Sequence, residues 1–431
     1  MRHGTVSARC KNFVKGVTMV AAMWALPAFA QAPPSADAPP PAAPPPPAPM
    51  VVPPPPLPAP PPPPPVEVKP PTATEAMPAS RPEVLPPIDV GAWTRVSGKL
   101  QGASDSSKLN DWHMDNAYVE LHAGGKVHKN VGVTLNLNAN MLNFSSSTVG
   151  VMDAIISFDF VPEFHLWAGH LLVPVDRSNA SGPFFMIPWN YPGFFAGVSA
   201  PKEGPSGRNN GAVVWGDISG GMLTYLAGVF DNADVGSSPL FSGRLRLALL
   251  DPEPGFWGNA SYFGDKDLFS IGVGGQFQKH GSSSPGTPAM PNATPPVAAV
   301  PGMDKDYSEI NADVLFEKKI PGTGFVTAEG AYYHFGVLDG AVSDSLYVLG
   351  AFAFADGNGG FVQPMVRYQW EKVKGNTDSN PWNLDAAISY LIKGPALRLN
   401  VTYSHTKLGP FGATSDATAN SIQFGAQAIF F

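Results

Sequence analysis

Cysteine is almost absent: the chain carries one, Cys10, among its first residues. That excludes a disulfide framework for everything that follows it. Charge is sparse, at 14% of residues, although hydrophobic residues make up 44%. Past residue 30 no uninterrupted apolar stretch approaches the roughly 20 residues of a membrane-spanning helix, so apolar surface has to be assembled from short segments. The usual catalytic signatures are missing too. There is no Gly-x-Ser-x-Gly elbow, no His-Glu-x-x-His pair and no phosphate-cradling glycine loop. The histidines beyond residue 30, among them His165, His170, His334 and His405, show no recurring ligand spacing. No metal and no cofactor is therefore expected.

What is present begins with a targeting layout. Arg2, Arg9, Lys11 and Lys15 precede an apolar run of 14 residues, Val17 to Ala30, that ends in Ala28-Phe29-Ala30. Cations, a short apolar run and small residues in that order form a secretory signal peptide, assigned to 1–30 and expected to be cleaved after Ala30. Cys10 leaves with it, and no lipobox surrounds the cleavage site. Loss of those four cations takes the formal net charge from −7 to −11. Nucleic acid is excluded as a partner on that charge.

Residues 31–88 are dominated by proline, with runs at Pro44 to Pro47, Pro53 to Pro56 and Pro60 to Pro65. Proline fixes φ and donates no backbone hydrogen bond, so neither helix nor sheet is available. The expectation is a polyproline II linker in which Pro39 to Pro71 spans on the order of 100 Å. It is either an inert spacer or a segment that meets peptidoglycan or a periplasmic protein.

Over 89–431 the composition turns to Gly, Asn, Ser, Thr, aromatic and β-branched residues, and the pattern becomes period two. Val131, Val133, Leu135, Leu137, Ala139 and Met141 share one face against Thr134, Asn136, Asn138 and Asn140. Leu397, Leu399, Val401 and Tyr403 oppose Arg398, Asn400, Thr402 and Ser404, and Ile310, Ala312, Val314 and Phe316 oppose Glu309, Asn311 and Asp313. Alternation over about 10 residues matches a strand that crosses a bilayer. Tight turns are expected at Asp251 to Gly255, Pro321 to Gly324, Asp356 to Gly360 and Lys393-Gly394-Pro395. Longer loops fall at Gln101 to Asp111, Val173 to Gly207, Lys279 to Asp304, Gly375 to Pro381 and Thr406 to Thr418. Short turns on one side and long loops on the other describe an all-β transmembrane antiparallel barrel.

About 17 segments qualify as strands, and closure with both ends on one side requires an even number, so sixteen are expected. The segment that breaks the order is Phe256 to Gln278. Pro364 should remove a ladder hydrogen bond and mark a bulge or break. Trp93, Trp112, Trp257, Tyr368, Trp370, Trp382, Tyr390 and Tyr403 are expected to form interfacial girdles.

These segments resemble the phosphate-selective porin family, the porin O/P group. Trp167-Ala168-Gly169-His170-Leu171-Leu172-Val173-Pro174 is similar to its strand end leading into a long loop. Gly211 to Asp231, then Arg244-Leu245-Arg246 with Asp251-Pro252-Glu253-Pro254, resemble the strands and turns that follow. Ile429-Phe430-Phe431 is similar to the terminal aromatic by which such barrels are recognised. In the last strand, however, Gln423 and Gln427 are in register with Phe431, so Ile422, Phe424, Ala426, Ala428 and Phe430 make the better outward face. The resemblance covers Gly91 to Phe431 and implies a sixteen-stranded homotrimeric channel in the lipid bilayer of the outer membrane, with the linker in the periplasm.

The most function-like segment is Val173 to Gly207, which carries Arg177, Phe184, Phe185, Trp189, Tyr191, Phe194, Phe195 and Lys202, with Arg208 beyond it. A loop this aromatic would expose a large apolar patch in water, so it is expected to fold into the lumen as a constriction or to pack at a subunit interface. Candidate pore-lining charges are Arg95, Lys99, Arg244, Arg246, Arg367 and Arg398, opposed by Glu309, Asp313 and Glu371 among other acids. Interleaved signs give a weak net field, which points to passive diffusion of small hydrophilic solutes over a dedicated phosphate pore. The competing readings are a barrel that only anchors the linker and an outer-membrane hydrolase; no catalytic residue is assigned.

Overall fold

In lipid a strand must find backbone partners on both edges, and the alternating segments solve this by pairing in a ring. The structure, a computed structural model, describes residues 88–102, 109–140, 149–193, 207–231, 238–284, 303–336, 342–373, 380–408 and 417–430. The expected signal peptide and all but the last residue of the proline-rich linker lie outside these residues. In chain order the first strands are β1 (Asp89–Gly102), β2 (Leu109–His128), β3 (Val131–Asn140), β4 (Val149–Val161) and β5 (Phe164–Leu172). A five-residue helix, α1 (Arg177–Ser181), precedes β6 (Arg208–Ile218), β7 (Leu223–Asp231), β8 (Leu240–Ala248) and β9 (Leu268–Ser284). The remainder are β10 (Met303–Ile320), β11 (Gly324–Phe335), β12 (Val342–Ala355), β13 (Phe361–Val373), β14 (Trp382–Leu391), β15 (Leu397–Leu408) and β16 (Ala417–Phe430). Each strand pairs with its sequence neighbours, and β1 pairs antiparallel with β16 from Ala92↔Phe430 to Gln101↔Ser421, closing a sixteen-stranded barrel.

The two faces follow the period-two pattern. Along β15, Leu397, Leu399, Val401 and Tyr403 are 40–46% exposed on the outside, whereas Arg398, Asn400 and Thr402 point inward at 0–3%. In β10, Ile310 and Val314 face out and Glu309, Asn311 and Asp313 face in. The last strand turns Phe424 and Phe430 outward and buries Gln423 and Gln427. Polar-in, apolar-out alternation is the reverse of a soluble barrel and gives a lipid-facing exterior.

Four expectations need correction. First, Asp251 to Gly255 is not a tight turn: it belongs to a long connection, 249–267, and the strand within Phe256 to Gln278 begins at Leu268. Inward side chains capture its backbone, since Arg246 donates to the carbonyls of Glu253 and Gly255 at 2.7 Å, and Glu317 accepts from Ser261 at 2.8 Å and from the Gly264 amide at 2.8 Å. Second, of the two outcomes expected at Pro364 the bulge is absent and a local break is present, since Gln363 and Pro364 have no β12 partner. Pro364 faces outward, pairs with Ile388, and the β12 register on either side of it is unchanged (Ala351↔Met365, Phe354↔Val362). Third, the loop from Lys279 to Asp304 is shorter, because pairing continues to Met303↔Ser284. Fourth, Trp93 and Trp257 are not girdle residues. Trp93 points inward and lies 3.9 Å, centroid to centroid, from His122, while Trp257 sits on the 249–267 connection beside Phe256. Trp112, Tyr368, Tyr390 and Tyr403 do lie on the outer surface.

The register is checked by a pair of neighbours in β3. Leu137 pairs with outward Leu121 and Asn138 with inward Glu120. Leu137→Arg should cost about 2–4 kcal/mol near the bilayer midplane, whereas Asn138→Arg should leave folding nearly unchanged. Folding into lipid vesicles at graded urea measures both, and equal losses would refute this register.

Candidate functional site

Two connections enter the lumen, and inward polar side chains fix both. The first is the segment after β5. Ser242 donates to the Pro174 carbonyl at 2.6 Å and Arg244 to that of Val175 at 3.3 Å. Gly274 is required here, because a Cβ at that position would lie 1.9 Å from the Val175 oxygen. Asp176 caps α1 by accepting from the Asn179 amide at 2.6 Å, and it also accepts from the Tyr333 hydroxyl at 2.9 Å. Ser178 bonds the Tyr347 hydroxyl at 2.8 Å.

Arg177 is the clamp between the two connections. It reaches Glu253 at 2.6 and 3.1 Å, Asp313 at 3.0 Å, Ser270 at 2.8 Å and the Asn259 carbonyl at 2.8 Å. Asp313 also takes Arg244 at 2.6 Å. Burial opposes ionisation of Glu253, but Arg177 and Arg246 outweigh it and hold the carboxyl at about 2, below its ordinary 4.5. Paired carboxylates and forked guanidinium groups make the strong, directional form of this contact.

From α1 the segment crosses to the opposite wall. Gln427 donates to the Phe184 carbonyl at 3.0 Å, Arg398 to that of Met186 at 2.6 Å, Arg95 to that of Trp189 at 2.7 Å and Arg367 to that of Asn190 at 2.8 Å. The Trp189 ring lies beside Arg95, 4.0 Å from its guanidinium carbon, and beside Arg398 at 5.2 Å. It fits because position 425 is glycine; a Cβ there would approach the ring to 2.5 Å. The stretch from Pro174 to Asn190 lies in the lumen, held by inward side chains.

The predicted site residues therefore divide. Arg177, Phe184 and Trp189 are buried anchors, and Arg95, Arg244, Arg246, Arg367 and Arg398 hold inserted backbone or carboxylates. Glu309 bonds Tyr307 and Asn311, Asp313 belongs to the clamp, and Glu371 is buried on β13. Lys99 is half-buried on β1, in register with Gln423 and His113. Lys202, with Phe194 and Phe195, lies outside the described residues. Phe185, Tyr191 and Arg208 border a cavity of about 900 Å³ against β1 to β6.

Besides Arg208, that cavity carries groups that the sequence reading did not assign to the site. A hydrogen-bonded belt crosses its wall from β2 to β6. His122 lies 3.1 Å from Glu120 and 2.9 Å from the Asn136 oxygen, Asn136 donates to Asp153 at 2.8 Å, and Arg208 donates to Asp153 at 3.2 Å. Trp93, Tyr118, Asn138, Trp167 and Trp257 complete it. All except Trp257 occupy strand positions, and inward parity was the signal that could have singled them out.

No protein-family model and no curated protein matches the chain. Solved structures do. OprB of Pseudomonas putida superposes with a TM-score of 0.54 at 9% identity, over 80% of this chain and 94% of that one. An anion-selective porin from Comamonas acidovorans gives 0.51 at 12% identity, covering 80% and 100%. The chain has a porin fold. OmpT of Vibrio cholerae, an outer membrane protein in a trimer form, gives 0.50 at 13% identity over 80% and 100%. Identities this low establish the barrel and not the solute.

The clamp makes a prediction that separates it from a pore-lining cation. Arg177→Ala removes the shared cation of two buried carboxylates but leaves Asp313 with Arg244 and Glu253 with Arg246, so it should cost about 3 kcal/mol, the low end for breaking a buried pair, read as a lower temperature for the shift between folded and unfolded mobility on gels. Gly274→Val should push the inserted segment off β9 and give larger, noisier single-channel currents. Because the Glu253 pKa is depressed, its contribution is fully present above 4.5 and is lost progressively as pH falls from there through about 2, so it should be intact at about pH 5.5 and reduced at about pH 3, read as the temperature of the mobility shift.

Proposed function

We propose that this chain is an outer-membrane porin through which small hydrophilic solutes diffuse passively, with weak preference for the sign of their charge. The observation that carries this reading is the fate of the cations. Arg177, Arg244 and Arg246 face Glu253 or Asp313, Arg367 faces Asp385 at 2.7 Å, and Arg208 faces Asp153. Arg95 and Arg398 each donate to loop carbonyls and lie against the Trp189 ring. A dianion exchanging its hydration for protein contacts needs several uncommitted cations at one place, and five of these seven face carboxylates instead. The phosphate-selective function implied by the family resemblance is therefore the less favoured form of this proposal.

The same proposal includes a homotrimer embedded in the lipid bilayer, a signal peptide at 1–30, a periplasmic linker at 31–88 and a channel domain at 89–431. A closed ladder and a lipid-facing exterior support the membrane setting, and the trimer form of the Vibrio cholerae protein supports the assembly. Deletion of Ala32 to Pro87 separates a porin from an anchor, since a porin keeps its conductance without the linker.

The test is chloride current through single channels, titrated with inorganic phosphate. Conductance without saturable block is expected. Saturable block at low phosphate, abolished by Arg208→Ala, would replace the general channel with a phosphate pore.

A further inference from the structure

The cavity beside the inserted loop is not a uniform polar bore. Its two flanks are aromatic. On the β1 side Trp93 lies edge-on to Phe184 and Phe185, with centroids at 5.2 and 5.6 Å. On the β5 side Trp167 stacks on Phe256 at 4.6 Å, and Phe256 in turn meets Trp257 at 5.0 Å. Trp257 keeps 36% of its surface exposed and Trp93, Trp167 and Phe185 are half-buried, so each flank presents ring surface to the cavity. Between the flanks runs the belt of Glu120, His122, Asn136, Asp153 and Arg208, with Asn138 above it.

Asp153 is matched by Arg208, and Glu120 lies 3.1 Å from the His122 ring on a wall that also carries Arg95. What the wall offers a solute is a row of fixed donors and acceptors without a dominant sign. The Asn116 amide oxygen is buried with no partner among the described residues, and Asn138 spends its amide on a long 3.3 Å contact with Tyr118.

Resting on the porin reading, the geometry points to a binding subsite for a neutral polyhydroxylated ring, a sugar, held between the Trp93 and Trp257 flanks over the Glu120-to-Arg208 belt. A sugar ring has C–H faces and a hydroxyl rim. The C–H faces suit the negative faces of aromatic rings. The hydroxyls each donate and accept, which is what amide and carboxylate groups fixed side by side can answer. A neutral ring pays no charge desolvation on entering. A flat apolar solute would strand the belt's polar groups, and an anion would meet Glu120 and Asp153 as well as Arg95 and Arg208. The volume of about 900 Å³ is at the large end for small-molecule sites and admits more than one ring.

The experiment is single-channel current in planar bilayers titrated with sucrose, alongside tryptophan fluorescence of the detergent-folded barrel under the same titration. Saturable current block and saturable fluorescence change are expected. Trp257→Ala, which lies on a connection and not in the ladder, should weaken both roughly tenfold, the loss of about one stacking contact, while Trp257→Phe should retain most of the affinity. Trp112→Ala on the outer face should change neither. Absence of any ion current would overturn the porin reading, and fluorescence would then still report on the subsite. Normal current with no saturable sucrose response in either measurement, or responses identical in Trp257→Ala, would overturn the subsite and leave the porin standing.

Discussion

A peptide group in hydrocarbon has no water to bond, so the pairing of β1 with β16 governs the rest of this molecule. Once Ala92 to Gln101 lie against Phe430 to Ser421 the ladder has no edge, and the inside and outside of the barrel are distinct solvents. Residue parity then decides every side chain's surroundings. One slip in register would put Arg398, Asn400 and Thr402 into lipid and Leu399 and Val401 into the lumen, so the alternation enforces its own pairing. The break at Pro364 is tolerated because the residue faces outward at a point where one missing donor does not shift the register.

The polar interior creates a second constraint. Inward arginines and carboxylates on narrow-bore strands need partners, and the inserted connections supply them as carbonyls and counter-charges. A buried ion pair is weak evidence for net stability, since desolvation offsets much of the attraction. Its contribution here is to placement. Arg177 faces Glu253 and Asp313 at once, and a segment shifted by one residue could not satisfy both. Gly274 and Gly425 complete the fit from the wall side, each vacating the space that the loop backbone or the Trp189 ring occupies.

This division explains what the sequence made legible. Alternation in Val131 to Asn140 or Leu397 to Tyr403 is local, so strand existence, face and number follow from the residues themselves. The inward position of the aromatic loop also follows, because its apolar surface has to be covered. Alternation says which face a residue occupies but not what meets it there. Arg177 looked like a pore cation because its partners lie 76 and 136 positions away. Phe256 to Tyr262 alternates like a strand yet pairs with none, since Arg177 takes the Asn259 carbonyl, Glu317 takes the Tyr262 amide, and Arg246 holds the backbone just before it at Glu253 and Gly255. Trp93 was placed with the girdle because an aromatic near a strand end is equally consistent with either face until the register is known.

The position of the open cavity follows from the same accounting of partners. The walls of β8 to β16 carry the long cations and the buried tyrosines, and the inserted segments are drawn onto them through carbonyls from Pro174 to Asn190. The walls of β2 to β4 carry Glu120, His122, Asn136, Asn138 and Asp153, whose short side chains bond one another or Tyr118 and, among the described residues, reach no inserted backbone. Long cations pull the loop, and short amides let it go. The open cavity therefore lies on the amide side, and on its wall Asp153 meets Arg208 while Glu120 lies among Arg95 and His122. In a low-dielectric lumen the field a solute meets depends on such local cancellation more than on the chain's net charge, so an acidic protein can carry a channel of nearly neutral character.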